Sequence, residues 1–271
     1  STAICAAGMA GLGLRTAFAG KVGQDGYGQL ASDTLASYGV DLSHLIVDPA
    51  IQTGITVSMS AKDNSDRAMV TYLGAINALR AEEISPALFE KTRHIHVGSF
   101  FLQSALRPGL ADLFRAAHRA GVTTSLDAGW DDTGVWDYGL HDVLKETDVF
   151  LPNELEAAAI TGKKDVAEAA KALSEWCRIC TVKCGGDGAV SASAGQVYGA
   201  ATYAAPVRDT TGAGDSFNAG FLYAFLAGKS IEEALCYGNA CGSLSVARLG
   251  GASSCPKLHE AEAVIRNGRV E

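Results

Sequence analysis

The sequence predicts an α/β fold, a three-layer sandwich with a mostly parallel central sheet and a small β-hairpin lid. Strand-like apolar runs alternate with helix-like runs along most of the 271 residues, which is typical of parallel sheets covered by helices. Residues 51–76 differ, because Ile55, Val57 and Met59 alternate with polar or small residues ahead of a turn-like cluster at 62–66. This second pattern predicts a hairpin with one face available to cover a cleft.

The core elements are predicted from apolar periodicity and from glycines just past helix ends. The expected core strands are 16–21, 94–98, 123–127, 149–151 and 179–183. The expected helices are 2–10, 28–38, 110–120, 154–161 and 166–176. Gly39, Gly121 and Gly162 follow three of these helices, where glycine is favoured as the terminating residue. We assign the α/β core to residues 1–50 and 77–271, and the lid to 51–76.

Composition narrows the class of protein and of partner. Hydrophobic residues make up 48% and charged residues 19%, as in globular proteins with a well-filled core. With 22 Lys and Arg against 30 Asp and Glu, the net charge is −8, which argues against nucleic-acid and anionic-membrane partners. No apolar run approaches the roughly 18 residues of a membrane span. The seven cysteines, an odd number in apolar surroundings, predict reduced thiols in a cytoplasmic protein.

Cys177 and Cys180 form a CxxC pair, with Cys184 four residues on. Such a pair can hold a metal or cycle as a redox dithiol. It can equally belong to a strand core, because residues 178–182 alternate like a strand. With no second cysteine pair and no histidine nearby, we favour the strand core.

Glycines 8, 11 and 13 loosely match a dinucleotide-binding fingerprint, GxxGxG in this chain. That fingerprint requires a strand, then the glycines, then a helix. Here the glycines close the expected helix 2–10 and precede a strand, so the order is reversed. We expect small residues that pack this helix against the sheet.

The strongest chemical signal is the string DTTGAGDSFNAG at 209–220. Gly212, Ala213 and Gly214 carry almost no side chain and precede an apolar helical run, so backbone N–H groups at a helix N-terminus can hold a phosphate. Asp215 lies at that helix start. It can accept a proton from an attacking hydroxyl, or it can simply cap the helix.

The whole string is similar to the second signature of the ribokinase-like (PfkB) carbohydrate kinases. The resemblance implies that Gly212, Ala213 and Gly214 form an anion hole for the transferring phosphoryl group and that Asp215 is the catalytic base. It implies an ATP-dependent phosphotransferase acting on a hydroxyl of a sugar or sugar acid. Two alternatives remain: a nucleoside kinase of the same fold, and a catalytically silent sugar-binding relative. An intact Asp215 argues against the second, because a binding module needs no base.

Further segments resemble the ATP side of this family. Residues 151–156 are similar to its NxxE motif, which implies that Asn153 binds ATP and that Glu156 holds Mg²⁺ through water. Residues 182–188 resemble its nucleotide loop, and 237–256 the helix and loop over adenine. The implied ATP-binding residues there are Lys183, Gly185, Gly186, Gly188 and Asn239. Each segment also has a simpler interpretation: a helix N-terminus, a hairpin turn and a surface helix.

The same resemblance implies a monovalent-cation site that would take K⁺. Its residues would be Asp209, Thr211, Ser245, Arg248, Gly250 and Ser254. Backbone carbonyls with one carboxylate and one hydroxyl form an oxygen set suited to a large monovalent ion. Alternatively, Asp209 only hydrogen-bonds its own loop.

The substrate side resembles the family less completely. Residues 20–28 are similar to its GxDxxG segment, and the implied substrate-binding residues are Asn77, Gly98, Ser99 and Asp127. The family's first strand, with its substrate-binding aspartate, has no counterpart before Ser1. The arginine of its DxNxR segment is absent after Asp127, where Trp130 could line the pocket or simply pack. We expect a small sugar-like substrate and a homodimer formed through the lid, but the sequence does not select the sugar.

Overall fold

The computed structural model describes residues 1–60 and 67–270. Its strands are β1 Gly20–Gly23, β2 Leu45–Asp48, β3 Ile55–Ser60, β4 Arg67–Tyr72, β5 His94–Val97, β6 Thr123–Leu126, β7 Val149–Phe150, β8 Ile179–Lys183, β9 Ala189–Ser193 and β10 Gln196–Ala200. Within the described residues the largest sheet has six strands in the order β10-β9-β8-β7-β6-β5. Strands β5 to β8 run parallel, whereas β9 and β10 are antiparallel additions at one edge.

Helices cover both faces of this sheet. They are α1 Thr2–Gly11, α2 Gly26–Ser37, α3 Arg107–Arg119, α4 Leu140–Leu144, α5 Glu154–Thr161, α6 Val166–Leu173, α7 Ala213–Leu226, α8 Ile231–Val246 and α9 Leu258–Asn267. One apolar core contains the buried apolar residues of α3, α4, α5 and α6, and another contains those of α7, α8 and α9 with part of α1. A smaller third cluster joins α1 to α2. The predicted three-layer α/β sandwich is therefore confirmed.

The side-chain alternation of a strand explains how one sheet serves two cores. On β7, Phe150 joins the core beneath α3, while its neighbours Val149 and Leu151 join the core beneath α7. All three side chains are fully buried. Short, continuous apolar strands of this kind are expected wherever both faces of a parallel sheet are covered.

The expected strand at 16–21 is only partly correct. The strand observed there begins at Gly20 and pairs in parallel with Leu45–Asp48, in a two-stranded sheet separate from the main one. Before it, Ala17 forms a single parallel bridge to Asp41, so regular pairing starts late. The other four core strands lie within one residue of their expected bounds.

Of the glycines at 8, 11 and 13, Gly8 packs against a helix, Gly11 lies close to the Pro256 carbonyl, and Gly13 takes a left-handed φ of +91°. A Cβ placed on Gly8 would lie 2.9 Å from the Cβ of Ala219, so the absence of a side chain lets α1 approach α7 closely. The expected packing of small residues is thus found, but the partner is a helix where we expected the sheet. Gly8 and Gly11 lie within α1 and Gly13 follows it, so the glycines come at the end of a helix, the reverse of a dinucleotide fingerprint.

The predicted hairpin is present as antiparallel strands β3 and β4, with Val57 opposite Val70. The turn cluster predicted at 62–66 lies outside the described residues. Four apolar side chains of the hairpin are more than half exposed: Val57, Met69, Val70 and Tyr72. At its base, the Asp25 carboxylate accepts the backbone N–H groups of Gly28 and Thr53, both at 2.8 Å, which joins α2 to the residue pair preceding β3.

Cysteine chemistry and membrane insertion can be judged from the same structure. All seven cysteines are free thiols. Cys180 lies within β8 in the apolar core, and burial raises the pKa of Cys177 to about 12, which suits an unreactive thiol. No helix among the described residues is both long and apolar enough to cross a membrane.

A half-buried histidine ladder crosses β5 and β6. His94 hydrogen-bonds the hydroxyls of Thr123 (2.8 Å) and Ser125 (2.7 Å), and His96 bonds the same Ser125 hydroxyl at 2.8 Å. Burial lowers the pKa of His94 to about 3 and that of His96 to about 4. For His96, the nearby Asp127 carboxylate opposes this shift and the Lys183 ammonium reinforces it.

The ladder should make stability pH-dependent on the acid side. Because both folded-state pKa values lie below the unfolded value near 6.5, the unfolded chain binds more protons, and the unfolding free energy falls as pH drops below about 6.5. The loss approaches about 1.4 kcal/mol per pH unit for each histidine. The unfolding free energy would be measured by urea denaturation at pH 7, 6 and 5. It should fall less steeply with decreasing pH in His94→Gln than in the original chain. An equally steep fall in both chains would contradict the lowered pKa of His94.

Candidate active site

The glycine string forms the N-terminus of α7. Gly212 is its N-cap, with φ +77°, and no side chain caps the helix. A Cβ on Gly212 would lie 3.1 Å from the Cα of Gly251 and from a methyl of Ile4, so this left-handed residue is also closely packed. The backbone N–H groups of the first turn can therefore bind an anion, and we call this end of α7 the anion-binding terminus.

Asp215 lies in the first turn of α7 but does not cap the helix. Its Oδ1 accepts a hydrogen bond from the Ser1 hydroxyl at 2.7 Å, and the N-cap position belongs to Gly212. Burial raises the pKa of Asp215 above its usual value. The capping interpretation is therefore wrong, and the carboxylate is placed beside the anion-binding terminus, where a proton acceptor can work.

One turn further along α7, Asn218 belongs to a buried polar cluster. The Lys183 ammonium donates to Asp127 Oδ2 at 2.7 Å and to Asn218 Oδ1 at 3.2 Å. The Asn218 amide in turn donates to the same Asp127 oxygen at 2.8 Å. Lys183 ends β8 and Asp127 follows β6, so the carboxyl ends of two parallel strands meet helix α7 here.

The charges of this cluster act on one another. Burial opposes ionisation of Asp127, but Lys183 and the two hydrogen bonds hold its pKa down at about 2. Burial likewise works against charge on Lys183, yet Asp127 and Glu156 raise its pKa. Burial, and then repulsion by Asp127, raises the pKa of Glu156 to about 7.

Asn153 and Glu156 begin α5 as a reciprocal cap. The Asn153 side chain accepts the Glu156 N–H at 2.9 Å, and the Glu156 carboxylate accepts the Asn153 N–H at 2.8 Å. The helix-terminus interpretation therefore describes their geometry. The same residues also lie at the cluster, because Asn153 forms a parallel bridge to Lys183.

The nucleotide-loop residues follow Lys183 directly. Gly185 and Gly186 are exposed in a short 3-10 turn, and Gly188 joins that turn to β9 with φ +94°. The turn closes an antiparallel hairpin, as its simpler interpretation predicted. Asn239 is buried on α8, where its amide donates to the carbonyls of Ala200 and Ala201 at 3.0 and 3.2 Å.

Asp209 joins the glycine loop to the segment after α8. Its carboxylate accepts the N–H of Thr211 at 2.8 Å and the N–H of Gly250 at 2.9 Å. The Arg248 guanidinium pairs with Glu260 and is itself a cation without acceptor atoms, so only the backbone carbonyl of Arg248 could bind a cation. Ser245 is buried near the end of α8, and Ser254 ends the 3-10 helix Ala252–Ser254.

On the substrate side, the segments after β5 and β6 pack together. Ser99 is buried with φ +56°, and a Cβ on Gly129 would lie 2.9 Å from its Cα. A Cβ on Gly98 would lie 2.5 Å from the hydroxyl oxygen of Thr2, next to the Ser1 that contacts Asp215. Asn77 is half-buried at the end of the 3-10 helix Gly74–Asn77, beyond the hairpin.

Trp130 is half exposed and packs edge-on against Trp136, with ring centroids 4.9 Å apart.

Sequence reasoning missed Asn218 and Asp25. Asn218 could have been found, because residues three apart on a helix lie on one face and Asp215 was already identified.

The chain matches known proteins over nearly its whole length. The model of the pfkB family of carbohydrate kinases matches residues 2–258. An ATP-dependent ribose-1-phosphate kinase of Halopiger xanaduensis is 35% identical over 254 residues, 94% of this chain and 82% of that protein. A 5-dehydro-2-deoxygluconokinase of Halalkalibacterium halodurans is 28% identical, over 95% of this chain and 82% of that one.

A solved structure supports the same assignment. Arabidopsis thaliana ribokinase, complexed with ribose and ATP, superposes with a TM-score of 0.84 at 27% identity, covering 97% of this chain and 86% of that one. The predicted resemblance and the kinase class are both confirmed by these matches. With its glycine-capped helix, its α/β sandwich and a family match over residues 2–258, this chain belongs to the PfkB family of carbohydrate kinases.

Proposed function

We propose that this chain transfers the γ-phosphate of ATP to a hydroxyl of a sugar or sugar acid, with Asp215 as general base. The observation that carries the proposal is the position of Asp215. It lies in the first turn of a helix whose N-cap is Gly212, and its carboxylate does not cap that helix. The hydroxyl proton passes to the carboxylate, the hydroxyl oxygen bonds to the γ-phosphorus, and the bond to the β–γ bridging oxygen breaks to release ADP. The N–H groups of Gly212, Ala213 and Gly214 would donate hydrogen bonds to the oxygens on which negative charge develops, the Ala213 N–H in exchange for its 3.3 Å bond to the Thr210 carbonyl.

ATP would lie along the loop after β8, against Asn153, Lys183, Gly185, Gly186 and Gly188, with Asn239 on the adenine side. Burial raises the pKa of Glu156, and the charges of Asp127 and Asp215 raise it further, so three carboxyl groups act on one another here. Such a surplus of negative charge fits a divalent cation such as Mg²⁺. Glu156 would hold it through water, and the metal would supply charge neutralisation on the phosphates.

For the substrate, we propose a polyhydroxylated molecule bound by Asn77, Gly98 and Ser99, beside Asp127, whose carboxylate Lys183 and Asn218 already occupy. These residues lie at strand ends and beyond the hairpin, where open α/β sheets bind ligands. The amide of Asn77 can both donate to and accept from sugar hydroxyls. The ribose-1-phosphate and deoxygluconate relatives support free or phosphorylated pentoses and sugar acids as the first candidates.

A substrate panel tests this proposal. ADP release would be measured with pentoses, pentose phosphates, hexoses, sugar acids and nucleosides at equal concentration. We expect the highest kcat/KM for a sugar or sugar acid, and inert nucleosides. The highest value for a nucleoside, with sugars inert, would replace the proposal by the nucleoside-kinase alternative. ATP binding with no turnover on any compound would favour a silent relative.

We further propose K⁺ activation through the segments joined by Asp209. The Asp209 carboxylate links the loop before Gly212 to Gly250, so oxygens of Thr211, Ser245, Arg248, Gly250 and Ser254 could surround a cation that never touches substrate. Such an ion would fix the loop whose N–H groups face the phosphate and should raise kcat. Activity would be compared in K⁺, Na⁺ and tetramethylammonium at one ionic strength. Equal rates in all three would leave Asp209 with a structural role.

The hairpin 51–76 would act as a lid over the core formed by 1–50 and 77–271. The enzyme would be cytoplasmic, with reduced thiols.

The exposed hairpin residues Val57, Val70 and Tyr72 would contact a second copy of the chain, because apolar faces of this kind rarely stay uncovered. We expect a dimer by sedimentation that Val57→Lys with Val70→Glu converts to monomer. A monomeric original chain at micromolar concentration would refute lid-mediated pairing.

A further inference from the structure

The buried cluster at the end of β8 contains a lysine with a donor to spare. An ammonium carries three N–H donors. Within residues 1–60 and 67–270, Lys183 donates two hydrogen bonds, one to Asp127 and one to Asn218. Its side chain is 13% exposed, so the remaining donor is largely shielded from bulk water yet still open to a ligand.

The position of the ammonium follows from its packing against α7. The position of a Cβ on Gly214 would lie 3.7 Å from Lys183 Nζ, which places the ammonium against the first turn of the helix. Gly214 and Asn218 are four residues apart and share one helix face, which Lys183 crosses. The cation therefore lies beside the N–H groups that form the anion-binding terminus, close to Asp215.

Stability alone does not account for this arrangement. The free energy needed to remove Lys183 and Asp127 from water is about as large as the free energy of their attraction, so a buried ion pair contributes little net stability. A fixed cation beside an anion-binding terminus, in contrast, stabilises charge that develops there, because little solvent screens it.

We propose that Lys183 is a catalytic residue whose third N–H binds the transferring phosphoryl group, and that Asp127 and Asn218 are positioning residues that hold its ammonium in place. The inference rests on the proposed function, since it concerns the same phosphoryl transfer. It gives Lys183 the γ-phosphoryl group as its partner, and it gives Asp127 and Asn218 a role in charge placement.

The first test separates a transition-state contact from an ATP-binding contact. Lys183→Met keeps the length of the side chain and removes the charge. We expect kcat to fall about 10²-fold, as when one donor to a developing oxyanion is removed, and the Kd of ATP to rise by a much smaller factor, because the contact strengthens as charge develops in the transition state. Binding of ADP with aluminium fluoride should weaken strongly, while binding of ADP alone should not. Lys183→Arg should recover part of kcat.

Lys229→Met is the matched control. Lys229 pairs with Glu233 just past the opposite end of the same helix, so the variant removes an ion-paired lysine away from the site. It should keep kcat and both ligand affinities. A Lys183→Met enzyme with unchanged kcat, or with ADP and ADP–aluminium fluoride affinities weakened alike, would overturn the inference.

A second variant keeps the lysine and tests how it is held. Burial lowers the pKa of Lys183 and the Asp127 charge raises it, so the pKa of Lys183 should fall in Asp127→Asn. The kcat of this variant should then decline as pH rises from 7 to 10, by more than any decline of the original enzyme. This readout also serves if Lys183→Met fails to fold. Identical pH profiles would refute the positioning role.

The outcomes distinguish this inference from the proposed function. An original enzyme that phosphorylates a sugar, with a Lys183→Met variant that does so equally well, removes the inference and leaves the function standing. An original enzyme that phosphorylates nothing in the panel removes both.

Discussion

Replacing Asp215 with asparagine is expected to lower kcat by roughly 10²-fold or more, with little change in the affinity for ATP. Asparagine keeps the size and polarity of the side chain but cannot take the hydroxyl proton. Because Asp215 does not cap α7, its loss should not weaken the helix start. The rate would be measured at saturating ATP and sugar, and the ATP affinity by calorimetry.

Asp165→Asn provides the matched control for that experiment. Asp165 begins α6 and accepts the N–H of Glu168 at 2.9 Å, so this change also removes a negative charge from a helix N-terminus. Asparagine is an equally good cap, and kcat should stay within about twofold. Near-normal turnover of a folded Asp215→Asn enzyme would exclude general-base catalysis by this residue.

Replacing Gly212 with alanine should cost about 10²-fold in kcat, through the orientation of the anion-binding N–H groups. Alanine at φ +77° is strained by roughly 1–2 kcal/mol. Its Cβ would also press on Gly251 and Ile4 at 3.1 Å, so relief of the strain must move the loop. The change in kcat would be measured together with the melting temperature.

Gly228→Ala separates strain from catalysis. Gly228 follows the other end of α7 with φ +72° and has no atom within 4 Å of an added Cβ. It should lose comparable stability and keep kcat. Equal kcat losses in the two variants would mean that helix stability, and not the orientation of the loop, limits the rate.

The sequence predicted the elements whose signals are local. Helix α5 was expected at 154–161 and is observed at Glu154–Thr161, because an N-terminal cap pair and Gly162, with φ +71°, mark both ends. Gly39 and Gly121 end their helices in the same left-handed conformation, at φ +76°. Similarly, alternation alone was enough to predict the antiparallel pairing of β3 with β4.

Contacts between distant segments could not be predicted in this way. The hydrogen bonds of Asp127 to Lys183 and Asn218 join residues 56 and 91 positions apart, and no periodicity reports them. The separate pairing of β1 with β2 is likewise a tertiary outcome. Asp25 looked like one residue of a motif, but its hydrogen bond to Thr53 at the hairpin base is visible only in the fold.

The central claim, phosphoryl transfer to a sugar hydroxyl with Asp215 as base, is tested most directly by following the product. ³¹P NMR of ATP, Mg²⁺ and the best sugar of the panel would be recorded with the original enzyme and with Asp215→Asn at equal ATP occupancy. The account predicts a new phosphomonoester signal that grows in step with ADP for the original enzyme, and growth slower by roughly 10²-fold or more for the variant. A phosphomonoester that forms equally fast with both enzymes, or with neither, would contradict it.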